Sequence, residues 1–181
     1  MATPRQRYRE QVRREIKQAA LAQISGGEEL NVTAVARRLG MTGPALYKYF
    51  AGRDKLLAEL VDDGLGELAA AVRQAGAATS EGGPRERLHA LARAFYDWAV
   101  AHPGLYRLVA SAPTLPGAEE VLRPFQPVLA QAPGGGPPAT VLVWARLQGV
   151  LSVELRGPFT GVGEALLTAE MDALADAMGL L

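Results

Sequence analysis

The sequence predicts an all-α protein, and three observations predict it. Apolar residues recur at helical spacing along most of the chain. Alanine, leucine, arginine and glutamate are abundant, while β-branched residues are sparse. Glycine and proline breaks separate the periodic segments and stop each helix. With 181 residues, 49% of them hydrophobic, the chain can bury the core of one large domain or two small ones.

The first helix is expected over residues 4–24, with Val12, Ile16, Ala19, Ala20 and Ile24 on one stripe. Ser25-Gly26-Gly27 ends it. A short helix follows Asn31, a good N-cap, and turns Val35, Ala36 and Leu39 inward before Gly40 stops it. Thr42 caps a third helix running to about Phe50. Gly43 and Pro44 lie in its first turn, where a proline's missing N–H costs little. Ala51-Gly52 breaks the chain again. A longer helix starts near Arg53, with Leu56, Leu57, Leu60 and Val61 on one side.

Pro84 opens an amphipathic helix carrying Leu88, Leu91, Ala92, Phe95, Tyr96 and Ala99 on one face, and Pro103 opens a short one through Leu108. Residues 118–130 form a helix that Pro124 and Pro127 kink or shorten. Residues 133–138 read as a mobile loop. Two apolar helices, 139–156 and 163–178, close the chain on either side of Gly157-Pro158. The architecture expected is about nine helices: an N-terminal three-helix domain over residues 1–55 and a helical body over 56–181.

The formal net charge of zero hides an asymmetry. Through Lys55 there are eleven basic and five acidic residues; beyond it there are eight basic and fourteen acidic. A basic first third suits a polyanionic partner, although a solvated basic face has the same composition. The absence of cysteine excludes disulfides, thiolate nucleophiles and cysteine metal sites, and fits a cytoplasmic location. Two histidines, His89 and His102, are too few for a multi-histidine metal site. No cofactor is expected. The polar, basic start has no apolar signal-type core, and no apolar run is long enough to span a membrane. Catalysis is not expected: no nucleophile–base set, phosphate loop or metal spacing occurs. The neighbouring acidic pairs Asp62-Asp63 and Glu119-Glu120 point to different helix faces.

Function is concentrated in Asn31–Lys55, NVTAVARRLGMTGPALYKYFAGRDK. Two short helices meet at the tight turn Gly40-Met41-Thr42, with small Ala36 where the helices approach. Leu46 and Phe50 point to the core. This is the layout of a helix-turn-helix, whose second helix enters the major groove of duplex DNA. Thr42, Gly43 and Ala45 are small or uncharged and allow close approach to base edges. Tyr47 and Lys48 can donate to phosphates, as can Arg53 and Lys55 in the next helix and Thr33 at the start of the first short one. Tyr49 fits a half-buried position, and Arg37 and Arg38 a solvated helix surface. Arg5, Arg7 and Arg9 form either a basic arm or a frayed terminus.

The set V-A-x-x-L-G-M-T-x-x-A-L-Y-x-Y-F-x-x-R-x-x-L-L, within residues 9–61, resembles the tetracycline-repressor (TetR) family of bacterial regulators. The resemblance implies a recognition helix from Thr42 to Phe50 and DNA contacts from Thr33, Thr42, Gly43, Pro44, Ala45, Tyr47, Lys48 and Arg53. Arg53 stands where lysine is usual; both donate to phosphate. Farther on, Trp144-Ala-Arg-Leu-Gln148-Gly149 resembles a subgroup carrying Trp, His and Gly at that spacing, with Gln148 in place of the histidine.

One helix-turn-helix reads only a half-site, so a homodimer on a double-stranded, pseudo-palindromic operator is expected. Candidate dimer residues are Leu147 and Leu151, in stripe with Trp144, and Leu167, Met171, Leu174 and Met178 at i, i+4, i+7 and i+11. These stripes serve equally well as intramolecular core, and both uses are expected. The resemblance implies a four-helix dimer interface there and, as the family's commonest mode, a repressor released by a small-molecule effector, with activation as the other mode. The competing reading is a DNA-binding module that senses a protein or nothing at all. Candidate effector-lining residues are Phe95, Tyr96, Trp98, Tyr106, Phe125, Trp144 and Gln148, since aromatics with a few polar groups suit an apolar ligand. Aromatics at helical spacing also pack as plain core.

Overall fold

The Thr3 hydroxyl accepts from the Gln6 amide, and the Gln6 side chain accepts from the Thr3 amide, so a capping box starts α1 (Pro4–Ser25). Asn31 caps α2 (Val32–Arg38) by accepting from the Ala34 amide at 3.0 Å. Thr42 caps α3 (Gly43–Tyr47) by accepting from the Ala45 amide at 3.3 Å. The computed structural model describes residues 3–111, 117–133, 137–157, 159 and 161–180. Its remaining helices are α4 (Arg53–Ala78), α5 (Pro84–Ala101), α6 (Pro103–Ser111), α7 (Ala118–Leu122), α8 (Gln126–Leu129), α9 (Pro137–Arg156) and α10 (Gly163–Met178). A 3-10 turn, Arg123–Phe125, joins α7 to α8. This broken run is the segment that Pro124 and Pro127 were expected to kink. Counted once, it leaves nine helices, and no strand occurs among the described residues.

The backbone packs into two compact units. The first holds residues up to Gly64 and takes back α6 from Gly104 onward, so it reaches past the expected boundary at Lys55. Its core is built from Val12, Ile16 and Ala20 of α1, Val35 and Ala36 of α2, Leu46 and Phe50 around α3, and Leu56 and Leu60 of α4. Leu108 of α6 packs against the same cluster. The α6 start fits only because two glycines lack a side chain. A Cβ on Gly104 would lie 2.8 Å from the Ser25 Cα, and one on Gly64 would lie 2.9 Å from the Leu105 Cγ.

In the second unit, α5 packs on both α9 and α10. Leu88, Leu91, Phe95, Phe125, Val143, Leu147, Leu151, Leu167, Met171 and Leu174 fill its core. Ion pairs bind the helix edges. Arg85 bonds Asp172 at 3.0 Å and Asp176 at 2.6 Å, Arg93 bonds Glu164 at 2.5 Å, and Arg146 bonds Glu170 at 2.6 Å. Glu154 at the end of α9 accepts from the Gly163 amide at 2.8 Å, fixing the first turn of α10. The loop expected over 133–138 is shorter, since α9 begins at Pro137; residues 134–136 lie outside the described residues, as does Pro158 of the later break.

This core takes up the stripes that were expected to serve both as intramolecular core and as dimer surface. Leu147, Leu151, Leu167, Met171 and Leu174 are buried within a single protomer, and Met178 is half-buried. Helices α5, α9 and α10 each pack on the other two and turn the apolar residues of this core inward, a burial that removes apolar area from water. What α9 leaves outside is a second stripe: Val141 (64% exposed), Leu142 (42%), Ala145, Gly149 and Ser152. The outer side of α10 is lined by Ala165, Ala169 and Ala173.

Candidate nucleic-acid interface

The first unit presents α3 by its backbone turns. Gly40 adopts φ = 66°, a left-handed conformation that lets α2 stop and the chain reverse into Thr42. Leu46 and Phe50 anchor α3 from below, and Met41 and Tyr49 pack partly against the same core. The opposite face is open: Thr42, Pro44, Tyr47 and Lys48 are exposed, Tyr47 by 56%, and Gly43 and Ala45 are partly so. Helix α3 is shorter than the expected 42–50. Its last residues tighten into a turn in which the Tyr49 amide donates to the Leu46 carbonyl at 2.8 Å.

Thr33 is exposed on the first turn of α2. Arg53 is also exposed, but its Nε donates to the Leu30 carbonyl at 3.1 Å, so it latches the loop entering α2 while its outer nitrogens stay free of that bond. Asn31 is held from behind, its amide donating to the Gln23 side chain at 3.0 Å. The eight residues expected to meet DNA thus lie on or beside α3 within one unit. The basic start is helical from Pro4, so Arg5, Arg7 and Arg9 belong to a capped helix rather than to an arm. Arg9 reaches the Lys48 carbonyl at 3.3 Å, which brings α1 to the end of α3.

Sequence reasoning missed a group behind this face. Arg13 bonds the Tyr49 carbonyl and the Glu59 carboxylate and lies 4.2 Å over the Phe50 ring. Lys17 approaches Glu59 at 3.4 Å and Asp63 at 2.7 Å. These partners are 36 to 46 residues apart in sequence, so no local pattern announces them. Burial pushes the Glu59 carboxyl up, but the hydrogen bond from Arg13 and the charges of Arg13 and Lys17 outweigh it and hold the group below its ordinary 4.5. A depressed carboxylate contributes stability that is complete above its unfolded pKa and is lost as pH falls through the folded one. Acid unfolding below about pH 4.5, followed by circular dichroism, should therefore be shallower in Glu59→Gln than in wild type. Equal slopes would show that Glu59 is not linked to folding.

The seven residues expected to line an effector site are divided between the two units. Tyr106, which is buried, belongs to the first unit; the other six belong to the second. Phe95 and Phe125 are fully buried, and Phe95 meets Trp144 edge to face at 5.6 Å. Gln148 is half-buried.

Residues 16–60 match the family model for bacterial regulatory proteins of the tetR family, and residues 88–178 match that for the tetracyclin repressor-like C-terminal domain. The chain belongs to the TetR family. The HTH-type transcriptional regulators Rv1816 of Mycobacterium tuberculosis and Mb1846 of Mycobacterium bovis are each 35% identical to it over 111 residues, 60% of this chain and 47% of theirs. The chain therefore matches about half the length of these curated relatives. Among solved structures, SCO4313, described as a regulatory protein, is 35% identical, with a TM-score of 0.80 over 96% of this chain and 100% of its own. A Streptomyces coelicolor A3(2) protein described as a TetR family transcriptional regulator is 26% identical, with a TM-score of 0.53 over 91% of this chain and 99% of its own. In TetR-family terms, α2 and α3 are the helix-turn-helix. No group of His, Cys, Asp or Glu able to hold a metal, and no helix long and apolar enough to cross a membrane, occurs among the described residues.

Proposed function

We propose that this TetR-family chain is a sequence-specific, DNA-binding transcriptional repressor that acts as a homodimer in the bacterial cytoplasm and leaves a pseudo-palindromic operator when a small apolar effector binds. The observation that carries the reading is the open face of α3. A capped helix anchored by Leu46 and Phe50 turns Thr42, Pro44, Tyr47 and Lys48 outward, beside Thr33 and Arg53. Small residues at its start approach base edges and thymine methyls, while Tyr47, Lys48, Arg53 and Thr33 serve phosphates. The dimer is supported by the outer stripe of α9 and α10, where Ala145, Gly149, Ala165, Ala169 and Ala173 let helices of a second copy come close.

Effector control supposes two states of different DNA affinity, one of which the ligand prefers. Trp144, beside Phe95 and one turn before Gln148, is the aromatic to test first. The Trp-His-Gly subgroup remains the finer family assignment we propose, with Gln148 as its variant position. The full burial of Phe95 and Phe125 favours the second reading, a module controlled by a protein partner or by no ligand, because filled packing leaves those rings no face for a small molecule.

Footprinting on the DNA upstream of the chain's own gene, in a salt series, tests the proposal. The expected result is a two-fold symmetric footprint whose affinity falls steeply with salt. Protection without symmetry would remove the dimer from the reading, and no salt-dependent binding to any duplex would remove the regulator.

A further inference from the structure

We infer that Arg13 is a positioning residue for the recognition helix: it fastens the end of α3 to α1 and α4, held in place by Glu59, without touching DNA itself. The inference rests on the reading of α3 as the groove-entering helix. Helix α3 has only five residues, too few to hold its own shape, so its direction is decided by what grips its ends. Thr42 and the buried Leu46 secure the start and the underside. Past Tyr47 the helix gives way to a turn, and the carbonyls of Lys48 and Tyr49 receive donors from α1. Arg9 serves the first at 3.3 Å and Arg13 the second.

The Arg13 contact is the one built to be rigid. Its Nη1 serves the Tyr49 carbonyl, its Nη2 serves the Glu59 carboxylate, and its flat face covers Phe50 at 4.2 Å. Three attachments in different directions fix a planar fork, which the single ammonium of a lysine cannot reproduce. Glu59 is restrained in turn by Lys17, which also bonds Asp63. The two side chains of the pair are only 27% and 19% exposed, so the contact is less screened than a surface ion pair. Two cations and two carboxylates also leave the cluster near neutral. Arg13 thus has no spare charge for a phosphate, unlike exposed Lys48. A shift of α4 relative to α1 would move Glu59, then Arg13, then the end of α3. The cluster thereby links helix position to groove fit.

The test uses a fluorescent duplex selected by the wild-type chain from a random-sequence library, titrated over a salt series well below each variant's Tm. Arg13→Gln is expected to weaken binding about tenfold or more with the wild-type salt slope, because no phosphate contact is lost. Glu59→Gln should weaken it several-fold, the double variant should be no worse than Arg13→Gln, and Arg13→Lys should recover only part. Wild-type affinity in folded Arg13→Gln overturns the inference. So does a slope reduced as in Lys48→Ala, which would make Arg13 a phosphate contact, and so does simple additivity of the two changes. If Arg13→Gln fails to fold, Glu59→Gln decides: loss at unchanged slope supports the inference and unchanged affinity ends it. A wild-type chain that selects no duplex is a separate result, which removes the DNA-binding reading and this inference with it.

Discussion

Replacing Tyr47 and Lys48 together by alanine is expected to lower operator affinity by about a hundredfold or more while leaving the fold intact. Both side chains are exposed at the end of α3, and neither has a part in the core. Surface substitutions of this kind usually change stability by no more than about 0.5 kcal/mol. The loss should therefore lie in binding. A lysine on a phosphate releases about one condensed counterion, so its removal from both copies of a dimer should reduce the slope of log affinity against log salt by about two. Tyr47 adds a phosphate hydrogen bond or a contact with a base edge, and its removal multiplies the loss without changing the slope. Fluorescence anisotropy between about 50 and 200 mM salt, with a thermal melt as control, measures both quantities. A folded double variant with wild-type affinity and slope would take α3 out of the interface.

The second large effect is expected at Gly149→Arg. Gly149 lies on the exposed stripe of α9, and a Cβ built there meets nothing within 4 Å in the protomer. Arginine also favours a helix over glycine by several tenths of a kcal/mol or more, so the single chain should fold as well as before. In a symmetric pair the outcome reverses. A two-fold interface places the same patch on both copies, so two guanidinium groups enter one small apolar seam without carboxylate partners. Light scattering after size exclusion should report a monomer at concentrations where wild type is a dimer. Operator affinity should fall by orders of magnitude, since one helix-turn-helix reads only half a site. A dimeric Gly149→Arg would place the interface elsewhere.

How much of this was legible depends on the range of the interaction concerned. Helix α1 was readable from its stripe, which repeats every three or four residues, and α2 and α3 also from their caps, which act over three. Asn31 and Thr42 sit at N-caps, and Val12, Ile16, Ala19 and Ala20 face inward, as the spacing predicts. The outward set on α3 followed from the same periodicity, with its end three residues too late because Arg9 and Arg13, rather than further helix, serve the carbonyls of Lys48 and Tyr49.

By itself the sequence determined the all-α class, the order of the helices, the capped pair at residues 31–47 and the family. All of these depend on neighbours within a turn or two, or on a local motif. The tertiary structure decided which apolar stripe of α9 and α10 is used inside the protomer, that α6 returns to the first unit, and that Arg13 and Glu59 clasp the end of α3. A helix with two apolar faces carries no mark of which face a distant helix will cover. An ion pair across 46 residues leaves no periodicity to read. Those choices are made when the whole core minimises its exposed apolar area, which no segment of the chain can do alone.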